Sequence, residues 1–184
     1  KIGGPSAKPY MPPKVWRAFS NNTYKRDKGE NLYRRSLYTY WRRTIPPPTM
    51  ANFNAAERDV CLVRKEKTNT PLQALTMMNN VTFVEASRFM AERMTLEGGP
   101  ETKGKLSHGF RLVIGRRPTS REMSSLVRAF GKFHEHYTAS GASAEELLQV
   151  GEKARDASID PAEHAAMTMV ASLILNLDEA MTKE

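Results

Sequence analysis

Residues 68–80 read TNTPLQALTMMNN, and this stretch divides the chain into two parts of different character. Thr70 is a good N-cap residue, Pro71 stands at the first helical position, and Gln73 stands at the third. This combination is a capping box, in which the two polar side chains satisfy backbone N–H groups that a helix start leaves unpaired. The stretch therefore predicts that a helix begins at Pro71.

Three more helix starts with capping signals follow downstream. They are marked by Thr119 with Glu122, by Ser143 with Glu146, and by Asp160-Pro161 with Glu163. Apolar residues recur at helical spacing behind two of these starts: Met123, Leu126, Val127, Phe130, Phe133 and Tyr137, and then Met167, Val170, Ile174 and Leu177. Apolar spacing also predicts helices over about 82–94 and around 106–114, with loops at 98–100 and 151–159. The predicted fold class is therefore mainly α, with a helical bundle over residues 70–184.

The first 69 residues predict a basic, largely extended segment. Prolines and turn residues break any helix over residues 1–30, and four aromatic side chains are expected to pin that stretch to the body of the protein: Tyr10, Trp16, Phe19 and Tyr24. Residues 1–69 and 70–184 together have the size of one domain. The start, Lys1-Ile2-Gly3-Gly4-Pro5, is typical of the interior of a polypeptide, so we expect the C-terminal part of a longer protein.

Residues 32–44, LYRRSLYTYWRRT, are ambiguous. Tyr33, Leu37 and Trp41 at a spacing of four suit one face of a helix, whereas the alternation and aromatic content of the same residues suit a strand or hairpin. The run Pro46-Pro47-Pro48 then predicts an extended exit.

The net charge of +8 comes entirely from the first third of the chain. Residues 1–69 contain 15 Lys and Arg against 5 Asp and Glu, a difference of +10, and residues 70–184 contain 13 against 15, a difference of −2. Such a basic block attracts nucleic acid, anionic polysaccharide or an acidic protein surface. The other interpretation is that its arginines form internal ion pairs and bind loop carbonyls. Because no helix-turn-helix, zinc-finger or RNA-binding motif accompanies the charge, we expect no nucleic-acid partner.

Other classes are excluded by composition. The longest apolar stretches, such as Met167 to Leu175, are far shorter than the roughly 20 residues of a membrane-spanning helix, so no membrane span is predicted. The single cysteine, Cys61, excludes an intrachain disulfide and a multi-cysteine metal site, and we interpret it as a small buried filler. The chain lacks the Cys-x-x-Cys-His motif of c-type haem attachment, so no haem is expected in it. His134 and His136 point to opposite sides of a helix and cannot share a metal ion, so no metal site is predicted.

No catalytic residue can be assigned from the sequence. Hydrolysis needs paired carboxylates or a nucleophile beside a base, and Glu57 and Asp59 near Cys61 do not form such an arrangement by themselves. The GxSxG, HExxH and glycine-rich phosphate-loop motifs are absent from the sequence. Whether the chain is an enzyme stays open, because a site assembled from distant residues has no signature in sequence.

Five stretches of the chain carry a family resemblance. They are GGPSAKPYMPPKVW (3–16), YRRSLYTYWRRTIPPPTMANFNAAERDVCLVRKEKTNTPLQALTMMNN (33–80), FVEASRFMAER (83–93), GFRLVIGRRPTSREM (109–123) and LILNLDEAMTKE (173–184). The chain resembles the planctomycete-specific domain of unknown function that follows a cytochrome c-like module and a second planctomycete domain in exported proteins. The resemblance covers nearly the whole chain, and TNTPLQAL is its most specific motif.

This resemblance implies an accessory or structural module of a large exported multidomain protein, located in the periplasm or at the cell surface. The expected partners are upstream domains of the same parent protein or a separate partner chain, and haem would be carried by that partner. Because family members tolerate a proline within the segment matching 38–42, the resemblance favours a strand there. The family commonly has aspartate and proline where this chain has Asn80-Val81, so no acidic function is assigned to that position. The family implies no reaction.

Binding or processing of acidic, including sulfated, polysaccharide is the second functional hypothesis. A guanidinium recognises a carboxylate or sulfate through two parallel hydrogen bonds, and aromatic rings stack on sugar faces. On a strand over 34–43, Arg34 and Arg42 would share one face, and Arg35 and Arg43 the other. The candidate ligand-binding residues are Arg34, Arg35, Tyr38, Trp41, Arg42, Arg64 and Asn69.

The competing interpretation of these residues is structural. The arginines would then bind carbonyl groups at the ends of the helices, and Thr70 and Gln73 would only cap a helix. The two interpretations differ in one observable, because complete burial of Tyr38 and Trp41 would exclude contact with a saccharide.

Overall fold

The computed structural model describes residues 2–12, 14–17, 23–56, 61, 63 and 68–182. Within these residues the protein is mainly α-helical and contains no sheet. The chain divides into two compact units, unit 1 (Lys1–Thr76) and unit 2 (Met77–Glu184). Short 3-10 helices span Gly29–Tyr33 and Ser36–Tyr38, and the α-helices are α1 (Pro48–Asn52), α2 (Pro71–Asn79), α3 (Val81–Glu97), α4 (Thr102–Ile114), α5 (Ser120–Ala139), α6 (Gly141–Leu148), α7 (Pro161–Leu175) and α8 (Asp178–Met181).

The capping box that decides the fold forms as predicted. Gln73 Oε1 accepts a hydrogen bond from Thr70 N at 2.9 Å, and Thr70 Oγ1 accepts one from Gln73 N at 3.3 Å. Gln73 is also buried and donates to the carbonyl oxygen of Asn52 at the end of α1 at 2.9 Å. The Gln73 side chain therefore caps the start of α2 and also binds the end of α1. The sequence predicted the first contact but not the second.

Local capping also accounts for the starts of three helices in unit 2. Thr119 and Glu122 form the predicted capping box at α5, and Asp160 Oδ1 accepts from Glu163 N at 2.9 Å at α7. Asn80 Oδ1 accepts from Thr82 N at 2.9 Å, so the predicted break at Asn79-Asn80 is the N-cap of α3.

The start predicted at Ser143 is wrong. Helix α6 already begins at Gly141, directly after α5 ends at Ala139. The Ser143 hydroxyl lies 2.8 Å from the hydroxyl of Ser140 and is inside the helix rather than at its cap. The two helices are joined by a single residue, so the polar signal at Ser143 marks a side-chain contact and not a boundary.

Helix α7 is the centre of unit 2 and packs against α3, α5 and α6. The predicted stripe of Met167, Val170 and Ile174 is fully buried, whereas Leu177 lies beyond the helix and is 38% exposed. Burial extends around α7 to small residues such as Ala165 and Ala171, which let the neighbouring helices approach closely. Full burial of each large apolar side chain stabilises the fold by roughly 1.5–3 kcal/mol.

The strand that the resemblance favoured at 38–42 does not form, nor does the wider strand over 34–43 on which the shared arginine faces depended. Tyr38 N donates to Arg35 O and Thr39 N to Ser36 O, so local bonds close a 3-10 turn at Ser36–Tyr38. The only pairing of this segment with a distant segment within the described residues is a single parallel bridge between Ala7 and Thr39. A strand needs a partner along its length, and the described part of the chain offers one residue of pairing.

The proline run also behaves differently from the prediction. Pro47 is the N-cap of α1 and Pro48 is its first residue, so the third proline starts a helix instead of extending the exit. Proline fits that position because its fixed φ suits a helix and its missing N–H would be unpaired there anyway. No helix in the described part of the chain is both long and apolar enough to span a membrane.

Candidate functional site

Arg34 is used to hold loop backbone. Its guanidinium donates to the carbonyl oxygens of Gly3 and Pro5 and lies over the ring of Tyr38, 3.9 Å from the ring centroid. These contacts fix the N-terminal segment against the 3-10 turn of unit 1. At this residue the geometry fits the structural interpretation, although the carbonyls it binds belong to a loop and not to a helix end.

Tyr38 and Trp41 are half-buried, so burial does not exclude saccharide contact at either residue. The Tyr38 hydroxyl accepts a hydrogen bond from Gly3 N at 3.0 Å, and one face of its ring is covered by Arg34. Arg35 is exposed, and its carbonyl oxygen accepts a hydrogen bond from Tyr38 N at 2.9 Å.

The remaining predicted residues do not converge with this pair. The Arg42 guanidinium lies over the ring of Trp16, 5.4 Å from the ring centroid. Asn69 is exposed and precedes α2, and Arg64 lies outside the described residues. The predicted set is therefore divided between an Arg34–Tyr38 contact and a contact of Arg42 with an aromatic residue for which the sequence predicted only packing.

That aromatic residue, Trp16, is the centre of a cluster in unit 1. Its ring centroid is 5.2 Å from that of Tyr24 and 6.0 Å from that of Tyr40. Lys8 lies over the Tyr40 ring at 5.3 Å, and Arg26 lies over the Tyr10 ring at 4.3 Å. Cation–π contacts of this kind contribute about 0.5–1 kcal/mol each when exposed and more when desolvated. Basic side chains and aromatic rings thus build this part of the unit together; Phe19 lies outside the described residues.

Tyr24 is held in its neutral form. Its hydroxyl donates to the carbonyl oxygen of Pro9 at 2.6 Å. Burial, and secondarily the negative charge of Asp27, raises the pKa of Tyr24 to about 12. The phenol is therefore a structural hydrogen-bond donor and not an ionisable catalytic group near neutral pH.

A cleft of about 370 Å³ opens beside this cluster. Trp16 and Tyr24 line it together with two exposed cations, Lys14 and Arg17, and with Met11, Pro12 and Thr23. None of the described residues that line it is acidic. Two cations and two aromatic rings of the first third therefore line one cleft, and none of the four lies within residues 34–43.

Unit 2 holds a different charged cluster, which the sequence did not predict. Arg88 on α3 is completely buried, with Glu85 at 3.7 Å and Glu92 at 3.6 Å on the same helix. Arg88 Nη2 also donates to the carbonyl oxygen of Lys153 at 2.6 Å. The two acids stand three residues before and four residues after Arg88, a spacing that indicates ion pairs on one helix face and can be read from the sequence. The same spacing is usual for ion pairs on exposed helix surfaces, so it does not predict burial.

The carboxylates of this cluster hold a loop. Glu85 Oε1 accepts from the backbone N–H groups of Glu152 and Lys153, both at 2.9 Å, and Glu92 Oε1 accepts from Asp156 N at 3.1 Å. Gly151 makes this possible, because its φ is +109° and a Cβ there would lie 2.4 Å from Glu85 Cδ. The cluster therefore fixes the loop at 151–156 to α3.

His164 on α7 lies against the same cluster and is fully buried. Its Nε2 is 3.3 Å from Arg88 O and 3.8 Å from Glu92 Oε1. Burial lowers the pKa of His164, although the bond to Arg88 O and the charge of Glu92 act in the opposite direction. The imidazole is therefore neutral near pH 7 and, being buried with Arg88 and Glu85, is closed to a substrate.

Neither cluster resembles a metal centre. Among the described residues no three His, Cys, Asp or Glu side chains converge as cation ligands. Cys61 is exposed, so its interpretation as a buried filler is wrong. It lies in a stretch without a predicted helix or strand that could bury it.

The comparisons with known proteins give one match. The family model described as "PSD1: Protein of unknown function (DUF1553)" matches residues 1–130. The match includes all of unit 1 and extends into α5 of unit 2, whereas α6, α7 and α8 lie beyond it. No curated protein and no solved structure is significantly similar to this chain.

Proposed function

This chain belongs to the PSD1 family of proteins of unknown function (DUF1553), and we propose that it is an accessory docking module of a larger exported protein. Unit 1 contacts an acidic protein surface, and unit 2 is the scaffold that carries it. The parent protein is of planctomycete type and acts in the periplasm or at the cell surface in cytochrome c-type electron transfer. The haem belongs to the docked domain or partner chain and not to this chain.

The observation that carries this proposal is the unequal charge of the two units. Residues 1–76 have a net charge of +10, since residues 70–76 contain no charged side chain, and residues 77–184 have −2. Complementary charge steers two proteins together and raises the association rate. A chain that combines a unit of little net charge with a strongly basic unit fits a module whose basic unit meets an acidic partner.

Exposed apolar side chains in unit 1 support the same proposal. Leu72 and Leu75 are 55% and 57% exposed, and they share a face of α2 because they are three residues apart. Leu37 is 78% exposed on the 3-10 turn of the same unit. Large apolar side chains on a basic surface suit a protein partner, which buries both kinds of group, better than they suit a purely ionic ligand.

The direct test is association with the acidic cytochrome c-type part of the parent protein, expressed separately and titrated against the purified chain. Biolayer interferometry at increasing ionic strength should show saturable binding that weakens with salt, because opposite exposed charges are screened. The variant Arg35→Glu should weaken binding about tenfold or more, mainly through a slower association rate.

The matched control is Arg121→Glu, which makes the same charge change at an exposed position of unit 2. It should leave the affinity within about twofold of the original value if unit 1 is the docking surface. Equal losses in both variants, or no association in low salt, would contradict the proposal.

Acidic polysaccharide is the second candidate partner, favoured by the half-buried rings of Tyr38 and Trp41 and by the exposure of Arg35 in the same stretch of sequence. Its test is binding of the chain to neutral and sulfated polysaccharides of matched charge density, with Trp41→Ala as the variant. Selective, saturable binding that Trp41→Ala abolishes would support it. Weak binding that disappears with salt regardless of the glycan would indicate a merely basic surface and reject this candidate.

A further inference from the structure

The cleft beside Trp16 in unit 1 offers hydrogen-bond donors and positive charge, and none of the described residues that line it carries a carboxylate. Lys14 and Arg17 are exposed at its edge, and neither forms an ion pair or hydrogen bond within the described part of the chain. Thr23 adds a hydroxyl. Arginine and lysine bind oxoanions through charge-assisted hydrogen bonds, so the polar side of the cleft suits a carboxylate or a sulfate.

Trp16 gives a second, independent indication. It is nine-tenths buried, and its indole Nε1–H has no hydrogen-bond partner among the described residues, although buried indole N–H groups usually have one. An indole N–H can only donate, so an anionic oxygen is the kind of atom that would satisfy it. The same side chain lines the cleft that holds the two cations.

The backbone at Lys14 is a third indication. Its φ is +77°, a left-handed conformation that non-glycine residues rarely adopt. Strained backbone of this kind concentrates at binding and catalytic positions, where it fixes the direction of a side chain. Here it occurs at one of the two cations that line the cleft.

The size of the cleft limits the ligand. Its volume of about 370 Å³ is within the range of small-molecule sites and much larger than a bare inorganic anion requires. Met11 and Pro12 give the cleft an apolar wall. A ligand that fills it therefore has a body of about one ring as well as an anionic group.

We propose that the cleft lined by Lys14, Trp16, Arg17 and Thr23 binds a small organic oxoanion, namely a carboxylate or sulfate ester on a ring-sized apolar body. The two cations bind the oxoanion, the indole N–H and the Thr23 hydroxyl are the additional donors, and the apolar wall contacts the ring. This site differs from the docking of an acidic protein, because it requires a single small ligand and no partner surface.

Fluorescence titration of the Trp41→Phe chain tests the proposal, since Trp16 is then the sole tryptophan. The probes are cyclohexyl sulfate and cyclohexanecarboxylate, with cyclohexanol lacking the anion and inorganic sulfate lacking the ring. Both ring-bearing anions should give a saturable change in Trp16 emission, and the stronger of the two identifies the preferred anion. Cyclohexanol and inorganic sulfate should each bind at least about tenfold more weakly.

The variants are Lys14→Gln and Arg17→Gln in the same single-tryptophan background. Each should weaken binding of the ring-bearing anions about tenfold or more, with circular dichroism showing an unchanged fold. Lys28→Gln is the matched control, since it removes an exposed charge of unit 1 outside the cleft, and it should change the affinity less than twofold. The proposal is overturned if no probe saturates, if cyclohexanol binds as well as the anions, or if all three variants lose affinity equally.

Discussion

Unit 1 and unit 2 use charged side chains in opposite ways. In unit 1 Arg34 and Arg42 are half-exposed and lie over the aromatic rings of Tyr38 and Trp16. In unit 2 Arg88 is completely buried between two carboxylates and a backbone carbonyl. A half-exposed guanidinium keeps part of its hydration and can exchange one partner for another, whereas a buried one is fixed by the cost of leaving any partner unpaired. The comparison separates a unit suited to binding from a unit suited to holding a shape.

The apolar content of the units differs in the same direction. Unit 2 has a continuous core around α7 that includes Phe110, Met94 and Leu106. The buried apolar residues described in unit 1 are Ala7, Trp16, Leu32, Ile45 and Pro47, and many of its long-range contacts join side chains to backbone. Unit 2 should therefore dominate the stability of the chain, and changes in unit 1 should affect ligands more than folding.

The largest effect is expected for Arg88→Met. This change leaves buried Glu85 and half-buried Glu92 without their cation and removes the bond to Lys153 O, so unit 2 should lose about 3–5 kcal/mol of unfolding free energy. Urea unfolding followed by far-UV circular dichroism measures it, since six of the eight described helices lie entirely in unit 2.

The matched control is Arg93→Met on the same helix. Arg93 pairs with Glu97 at 3.0 Å but is 56% exposed, so its loss should leave the urea midpoint of unit 2 nearly unchanged. Tryptophan fluorescence follows the unfolding of unit 1 instead, because Trp16 and Trp41 both lie in unit 1. Similar losses of unfolding free energy for Arg88→Met and Arg93→Met would mean that the buried cluster does not stabilise unit 2 by fixing the loop to α3.

The second effect concerns the loop that the cluster holds. Gly151→Ala introduces a Cβ 2.4 Å from Glu85 Cδ at a φ of +109°, so we expect a loss of about 2–4 kcal/mol in unit 2. Gly131→Ala is the opposite case, because Gly131 is in the interior of α5 with open space around it, and there alanine should add about 0.5–1 kcal/mol. Thermal unfolding of the two variants should therefore shift in opposite directions, and a shift of both in one direction would contradict this account.

The sequence predicted the features that depend on neighbouring residues. Helix starts at Pro71, Ser120 and Pro161 follow from side chains that cap within three residues, and the core stripe of α5 follows from periodicity. These signals work because the interaction and its cause are only a few residues apart.

Features that depend on distant residues were not predictable in this way. Glu85 binds N–H groups 67 and 68 residues away, and nothing in its local sequence distinguishes it from an exposed acid. The strand predicted over 34–43 failed for the same reason, because local propensity cannot show whether a partner strand exists. The binding residues proposed from that strand were therefore placed on a shared face that the fold does not form. The cleft is a different case, because Lys14, Trp16 and Arg17 are neighbours in sequence and lie in one turn, which has no periodic signal.

A smaller effect is expected for the stability of unit 1 at alkaline pH. The pKa of Tyr24 is raised to about 12, so between pH 10 and 12 the unfolded chain loses the phenolic proton while the folded chain keeps it. The contribution of Tyr24 to the unfolding free energy of unit 1 should therefore be fully present below pH 10. About 1–2 kcal/mol of it should be lost as the pH rises to 12, a value reduced for solvent screening of a half-buried group. Tryptophan fluorescence in urea at each pH measures this loss, and Tyr24→Phe should remove it. If Tyr24→Phe retains the same alkaline loss, another group is responsible.

The smallest effect tests whether unit 1 sacrifices stability for binding. Lys14 has a φ of +77°, which glycine adopts without penalty, so Lys14→Gly should stabilise unit 1 by about 0.5–1 kcal/mol after allowance for the flexibility of glycine in the unfolded chain. The same variant removes a cation from the cleft and should weaken binding of cyclohexyl sulfate about as much as Lys14→Gln does. Urea unfolding followed by tryptophan fluorescence gives the first quantity and the anion titration gives the second. A higher unfolding free energy together with a weaker affinity for cyclohexyl sulfate would mean that the strain at Lys14 is retained for the ligand. A lower unfolding free energy would mean that the Lys14 side chain itself supports the fold.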